Sequence, residues 1–264
     1  IRLHVFYAFE SDRTYEMKPA RRPISVFLPF VMLALACAAQ ASPATTPASS
    51  SKPPWWPARH AQKVEEAKKG NVDMLFIGDS IMQGWEGPGA DVWAKYYAPR
   101  RAMNLGFNRD KTENVLWRLE NGEIDGISPK LAVLLIGTNN TGLRRDKPQD
   151  IAEGIKAICD KLLVKLPKTK ILVMAILPRS EKPTDWERVN NDDANKLIAK
   201  LADGKSIFFM DINSKLLAPD GVLAADIMPD RLHPTPKGYQ IWAEAIEPTV
   251  ARIMESPGPA KAKP

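Results

Sequence analysis

The chain has 264 residues, 44% apolar and 26% charged, a globular composition that suits one sizeable core and argues against two independent domains. Its formal charge of +6 is too mild for a nucleic-acid binder, the more so because residues 1–41 hold five Lys/Arg against three Asp/Glu and leave only +4 for the rest.

The first predicted segment is a targeting one. Met17 is followed by Lys18, Arg21 and Arg22, an apolar run from Ile24 to Ala39, and Ala39-Gln40-Ala41, a small-x-small cleavage pattern. Residues 1–16 then read as an upstream extension from a wrongly assigned start, and residues 17–41 as a cleaved signal peptide. The apolar run is short for a membrane span, so no stable span is expected. Cys37 also admits bacterial lipoprotein processing, although its flanks fit that pattern loosely. The expected destination is the periplasm or the extracellular space.

Residues 42–58, rich in Ala, Ser, Thr and Pro, read as a flexible linker with too little apolar surface to order itself. Trp55 and Trp56 interrupt it and are expected to pack on the following domain. That domain spans residues 59–254, and residues 255–264 read as a disordered tail. Cys159 is the cysteine left after cleavage; it lies in an apolar-periodic helix and reads as a buried small residue, not a nucleophile.

Within the domain a polar helix near Arg59–Lys69 precedes an alternation of β-like runs and longer helical patterns. Strands are predicted at Asp73–Ile77, Ala102–Leu105, Leu131–Ile136, Lys170–Ile176 and Ser206–Asp211. Helices are predicted at Thr112–Asn121, Pro148–Leu166, Asp185–Leu201 and Pro236–Ile253, the last with Thr235 as N-cap and Pro236 in its first position. Most of the strands are continuous apolar runs, as expected when helices cover both faces of a sheet. The fold class is therefore α/β: a three-layer α/β/α sandwich around a five-stranded, mainly parallel sheet.

Ligands of such sheets bind beyond the carboxyl ends of the strands. The first strand runs into Gly78-Asp79-Ser80, the second into Asn104-Leu105-Gly106, and the third into Gly137-Thr138-Asn139-Asn140. A serine hydroxyl needs a base to become a nucleophile, and that base is usually a histidine held by a carboxylate. His4 lies in the amino-terminal extension and His60 near the linker, which leaves His233. Asp230, three residues earlier, can turn back to hold its ring, with Asp226 as a more distant alternative acid. Met82 stands where the G-x-S-x-G elbow requires glycine, which disfavours an α/β-hydrolase. The backbone N–H groups of Ser80 and Gly106 and the Asn139 amide are candidate donors to a tetrahedral oxyanion. Asp79, Arg109 and Arg179 are candidate substrate contacts, while Arg179 and Trp85 read equally well as packing or salt-bridge residues.

These clusters resemble the serine, glycine, asparagine and histidine blocks of the SGNH (GDSL-like) hydrolases, here Ser80, Gly106, Asn139 and His233, over about Leu75 to Ile246. The stretches Val115–Glu123, Gly137–Asn140 and Leu177–Pro183 are most similar to the catalytic subunits of the intracellular platelet-activating-factor acetylhydrolases. The resemblance implies a flavodoxin-like sandwich, no metal or other cofactor, and transfer of short acyl groups, acetyl above all, through Ser80 with the Asp230-His233 pair. Related subunits pair, so it also admits a homodimer. Asn108 and Arg109 replace a glycine pair of the family pattern, which leaves the shape of that loop open and lets Arg109 reach toward a charged substrate. The expected activity is an exported esterase acting on acetylated carbohydrate or a related small ester. A lipid esterase or lysophospholipase, and a non-catalytic carbohydrate-binding protein on the same fold, are the alternatives.

Overall fold

The computed structural model describes residue 16 and residues 41–50 and 53–255. The signal segment up to residue 40, Cys37 and the tail beyond residue 255 lie outside the described residues.

Five strands, β1 (Met74–Gly78), β2 (Ala102–Gly106), β3 (Leu131–Leu135), β4 (Lys170–Met174) and β5 (Ile207–Met210), pair in parallel in the order β2-β1-β3-β4-β5. This is the flavodoxin-like order, and its reversal point lies beside β1. Register aligns Gly78 with Gly106 on one side and Leu135 on the other. The turns that follow β1, β2 and β3 therefore leave the sheet at one level.

Among the described residues eight α-helices accompany the sheet: α1 (Trp55–Lys68), α2 (Ser80–Gln83), α3 (Ala90–Tyr96), α4 (Thr112–Glu120), α5 (Pro148–Lys165), α6 (Trp186–Ile198), α7 (Asn213–Leu216) and α8 (Pro236–Glu255). Alternation along β1 divides the core, because successive strand side chains point to opposite faces. Leu75 and Ile77 join Leu119 of α4, Ile155, Ile158 and Leu162 of α5 and Ile198 of α6. Met74 and Phe76 join Trp85, Tyr97 and the α8 residues Tyr239, Trp242, Ile246 and Val250. Two apolar layers thus enclose the sheet, as anticipated from the unbroken apolar strands. Cys159 is fully buried on the first face, and burial pushes its thiol up to about 12, which makes it inert. Trp85 is also fully buried, among Phe76, Tyr97, Tyr239 and Trp242, so it packs and does not shape specificity.

The predicted long helices and strands recur with shifts of a few residues at their ends. Thr235 caps α8 as expected, its hydroxyl accepting from Gly238 N–H at 3.3 Å. The short helices α2, α3 and α7 carry too few turns to leave a periodic signature in sequence.

The linker expected at residues 42–58 is corrected. Ala44 is fully buried, its carbonyl accepting from Thr112 Oγ1 at 2.8 Å, and the Ala48 carbonyl accepts from Asn114 Nδ2 at 2.9 Å. Gly154 makes room, since a Cβ there would collide with both Thr112 and Ala44. Trp56 is 2% exposed inside α1. Composition alone misses this docking because most of it runs through backbone carbonyls that α4 satisfies, with one tryptophan supplying the apolar anchor.

Candidate active site

Ser80 is the first residue of α2, immediately beyond β1, so its N–H has no acceptor within that helix. Asp79 forms the N-cap: its Oδ1 accepts from Ile81 N–H at 3.0 Å. Ser80 Oγ lies 2.8 Å from His233 Nε2, and His233 Nδ1 lies 2.6 Å from Asp230 Oδ2. A carboxylate can only accept, so Nδ1 carries the proton and Nε2 is left to accept from the serine hydroxyl.

The Asp230-to-His233 loop folds on itself to make that pair. Asp230 Oδ1 accepts the backbone N–H groups of Leu232 at 3.0 Å and His233 at 2.7 Å, an arrangement completed by Arg231 in a left-handed conformation (φ 60°). Partial burial pushes the Asp230 carboxyl up. The hydrogen bonds from the His233 ring and backbone outweigh that effect and hold it below its ordinary range. The alternative acid, Asp226, pairs instead with Lys237 at 2.6 Å.

Gly106 does not take the role expected of it. Its N–H donates to Asn104 Oδ1 at 2.7 Å, while Asn104 Nδ2 donates to the Met82 carbonyl at 2.9 Å. A Cβ at position 106 would strike the backbone of Met82 and Gln83. Glycine is required there so that the end of β2 can lie against α2, not to admit a ligand. In the following loop Phe107 N–H donates to the Gly78 carbonyl, Asn108 N–H to Gln83 Oε1 and Asp110 N–H to the Phe107 carbonyl. Among the described residues of that loop, Arg109 N–H alone has no acceptor. Arg109 is left-handed (φ 67°), a backbone that glycine adopts freely and an L-residue adopts at a cost of roughly 1–2 kcal/mol. Arg109, one of the two residues standing where the family pattern has a glycine pair, thus keeps a backbone that glycine adopts freely.

Asn139, 7% exposed, stands just beyond β3 before a π-helical turn (Asn140–Arg144). Its Nδ2 donates to the Asp110 carbonyl at 3.0 Å, and the second amide hydrogen remains for another acceptor.

The three expected substrate contacts fare differently from the expected catalytic groups. Asp79 is 1% exposed; burial pushes its carboxyl up to about 7 despite the Ile81 N–H bond, and it is a cap out of reach of substrate. Arg179 donates to the Thr138 carbonyl at 2.8 Å and packs over Gly142, holding the turn that carries Asn139. Arg109 is exposed and is not among the residues that line the site. Those lining residues are Ser80, Gln83, Gly84, Glu86, Gly87, Asn108 and His233, around an open cavity of about 440 Å³. Gln83, Glu86 and Asn108 were not singled out from sequence; their signal was only nearness to Ser80 and Gly106. His233 also borders a second depression of about 520 Å³, lined by Pro88, Pro229, Pro234 and Pro236.

Four similarities bear on this geometry. The model of the GDSL-like lipase/acylhydrolase family matches residues 76–241. The platelet-activating factor acetylhydrolase IB subunit alpha2 of Rattus norvegicus is 32% identical over 200 residues, covering 76% of this chain and 85% of its own. Among solved structures, a GDSL-like lipase from Bacteroides thetaiotaomicron superposes with a TM-score of 0.56 at 19% identity, covering 74% of this chain and 97% of its own. An acetylxylan esterase from Geobacillus stearothermophilus gives 0.54 at 19% identity, covering 71% and 96%. At those identities the structural likenesses establish the fold.

Proposed function

Since the chain belongs to the GDSL-like lipase/acylhydrolase family and is a carboxylic ester hydrolase, we propose that it removes short acyl groups, acetyl first, from carbohydrate or related small esters through an acyl-enzyme on Ser80. The observation that carries this reading is the continuous chain from Ser80 Oγ to His233 Nε2 and from His233 Nδ1 to Asp230 Oδ2, at 2.8 and 2.6 Å.

The steps follow from the proton positions. Ser80 Oγ attacks the acyl carbon as His233 Nε2 takes the hydroxyl proton, and the carbonyl electrons move onto oxygen. Asp230 keeps the ring oriented and stabilises the imidazolium. Collapse of the tetrahedral species breaks the ester C–O bond, and His233 returns the proton to the departing alkoxide. A water then attacks the acyl-serine by the same route, releasing the carboxylic acid and restoring Ser80. The donors proposed for the oxyanion are Ser80 N–H, the second N–H of Asn139 and, in place of Gly106, Arg109 N–H.

Substrate class rests on the cavity. Beside Ser80 the Gln83 amide N–H groups and the exposed Asn108 side chain offer donors and an acceptor, while Glu86 is held by Arg59 at 2.9 and 2.8 Å, a lining suited to the hydroxyls of a sugar or polyol. The acetylxylan esterase likeness is consistent with such a substrate. The names of the curated relatives favour a second reading, an acetyl ester on a lipid, and the proline-walled depression next to His233 is the apolar surface such an alcohol would use. Export is proposed from the Met17–Ala41 segment. Among the described residues no helix is long and apolar enough to cross a membrane.

Acetate release from p-nitrophenyl acetate and from panels of acetylated sugars and acetylated lipids, with Ser80→Ala as control, tests the proposal. Release that needs Ser80 and runs faster on sugars supports it. Faster release from lipids selects the second reading, and release indifferent to Ser80 overturns the mechanism.

A further inference from the structure

Behind Asn139 lies an assembly that none of the acyl-transfer steps uses. Asp110 is 1% exposed, and both of its carboxylate oxygens are held: Oδ1 accepts from Trp56 Nε1 at 2.6 Å and Oδ2 from Arg118 Nε at 2.8 Å. Arg118, itself fully buried, also pairs with Glu123, donates to the Leu105 carbonyl at 3.2 Å and stacks 4.0 Å from the Phe107 ring centroid. The backbone carbonyl of the same Asp110 receives Asn139 Nδ2. The two hydrogens of an amide NH₂ are fixed relative to each other. Wherever the Asp110 carbonyl holds one of them, the direction of the other is set.

We propose that Trp56 and Asp110 are positioning residues that aim the Asn139 amide at the developing oxyanion, so that the amino-terminal arm, residues 41–50 and 53–68, is part of the catalytic apparatus. The inference rests on Asn139 being an oxyanion donor. Two further attachments of the arm converge on the same rim. Arg59 Nε donates to the Gly106 carbonyl at 2.9 Å. Ala44 is bound by Thr112, whose N–H donates to Asn140 Oδ1 at 3.1 Å and whose hydroxyl accepts from Asn140 Nδ2 at 3.0 Å. The residue after Asn139 is thereby braced from the arm as well.

A misdirected donor weakens binding of a charged oxyanion far more than binding of the neutral ground-state carbonyl, so the loss falls on turnover and not on substrate affinity. Trp56→Phe in the full chain keeps an aromatic ring at this buried position and removes the indole N–H together with the rest of the pyrrole ring. For p-nitrophenyl acetate, kcat is expected to fall roughly tenfold with KM within about twofold, because small misplacements of catalytic groups carry losses of this scale. In an Asn139→Ala background the same substitution is expected to change kcat by less than about twofold, since there is no amide left to aim. Asp110→Asn, which weakens both side-chain bonds, is expected to show the same dependence on Asn139 and serves if Trp56→Phe does not fold. An equal loss in both backgrounds, or no loss in either, overturns the proposal. Asn139→Ala retaining the full rate would instead remove the donor reading, whatever Trp56→Phe does, so the two failures are told apart.

Discussion

Asp230 and His233 meet Ser80 from an exposed loop in which three residues of chain do the positioning, with side chains 54% and 41% exposed. On the opposite side of the serine, Asn139 is held by residues separated from it by up to 83 positions of sequence, all buried: Trp56, Asp110 and Arg118. The side proposed for proton transfer is thus local and solvent-washed, while the side proposed for the oxyanion is non-local and dry. An exposed hydrogen bond is readily exchanged for water and contributes little to folding, whereas a buried ion-pair network that loses one member leaves charge without a partner. The same active site is therefore built from one part whose loss affects chemistry and another whose loss affects the fold.

The largest effect expected on the local side is on rate. Ser80→Ala should lower kcat by at least about a thousandfold and His233→Ala nearly as far, the scale seen when a triad member is removed. Neither should shift the thermal midpoint by more than a degree or two, roughly the size of an exposed-site change; parallel calorimetry and acetate release would check both. On the buried side Arg118→Met should cost about 3–5 kcal/mol in denaturant titrations, because Asp110 and Glu123 are left buried and uncompensated. A loss under about 1 kcal/mol would show that the network is replaceable by apolar packing.

Titration sharpens the contrast next. The Asp79 carboxyl stands at about 7 in the folded protein against an ordinary 3.8, so between those values the folded state holds a proton that the unfolded state has lost. Stability should fall as pH rises from about 4 to 7. Asp79→Asn should flatten that slope in thermal melts recorded across the interval, and an unchanged slope would assign it to other groups such as Asp110, whose carboxyl burial also raises, to about 6. The smallest effect is expected at Arg109. Arg109→Gly keeps the left-handed backbone and the N–H, so activity should stay within about threefold and stability within roughly 1 kcal/mol. A loss of substrate affinity there would restore a role for the guanidinium.

That Ser80, His233 and Asp230 meet was legible because Ser80 follows a strand end and the i, i+3 spacing of Asp230 and His233 encloses their interaction. Gly106 was misread because a free donor and a committed one look alike in sequence: only the position of Asn104 shows that its N–H is already used. Arg118, within Leu-Trp-Arg-Leu-Glu, was not singled out from sequence, because its partners Asp110 and Glu123 close around it only in the packed chain.

The α/β layering, through continuous apolar strands and periodic helices, and the hydrogen-bonded Asp230-His233 pair could be read from sequence, because periodicity and short-range spacing are properties of local chain. Packing alone settled which backbone N–H groups are left without an acceptor, that Asp79 is a buried cap, and that residues 42–50 and 53–58 are a docked arm and not a tether. Those outcomes depend on which distant groups compete for the same hydrogen bonds, and that competition is resolved only when the chain packs.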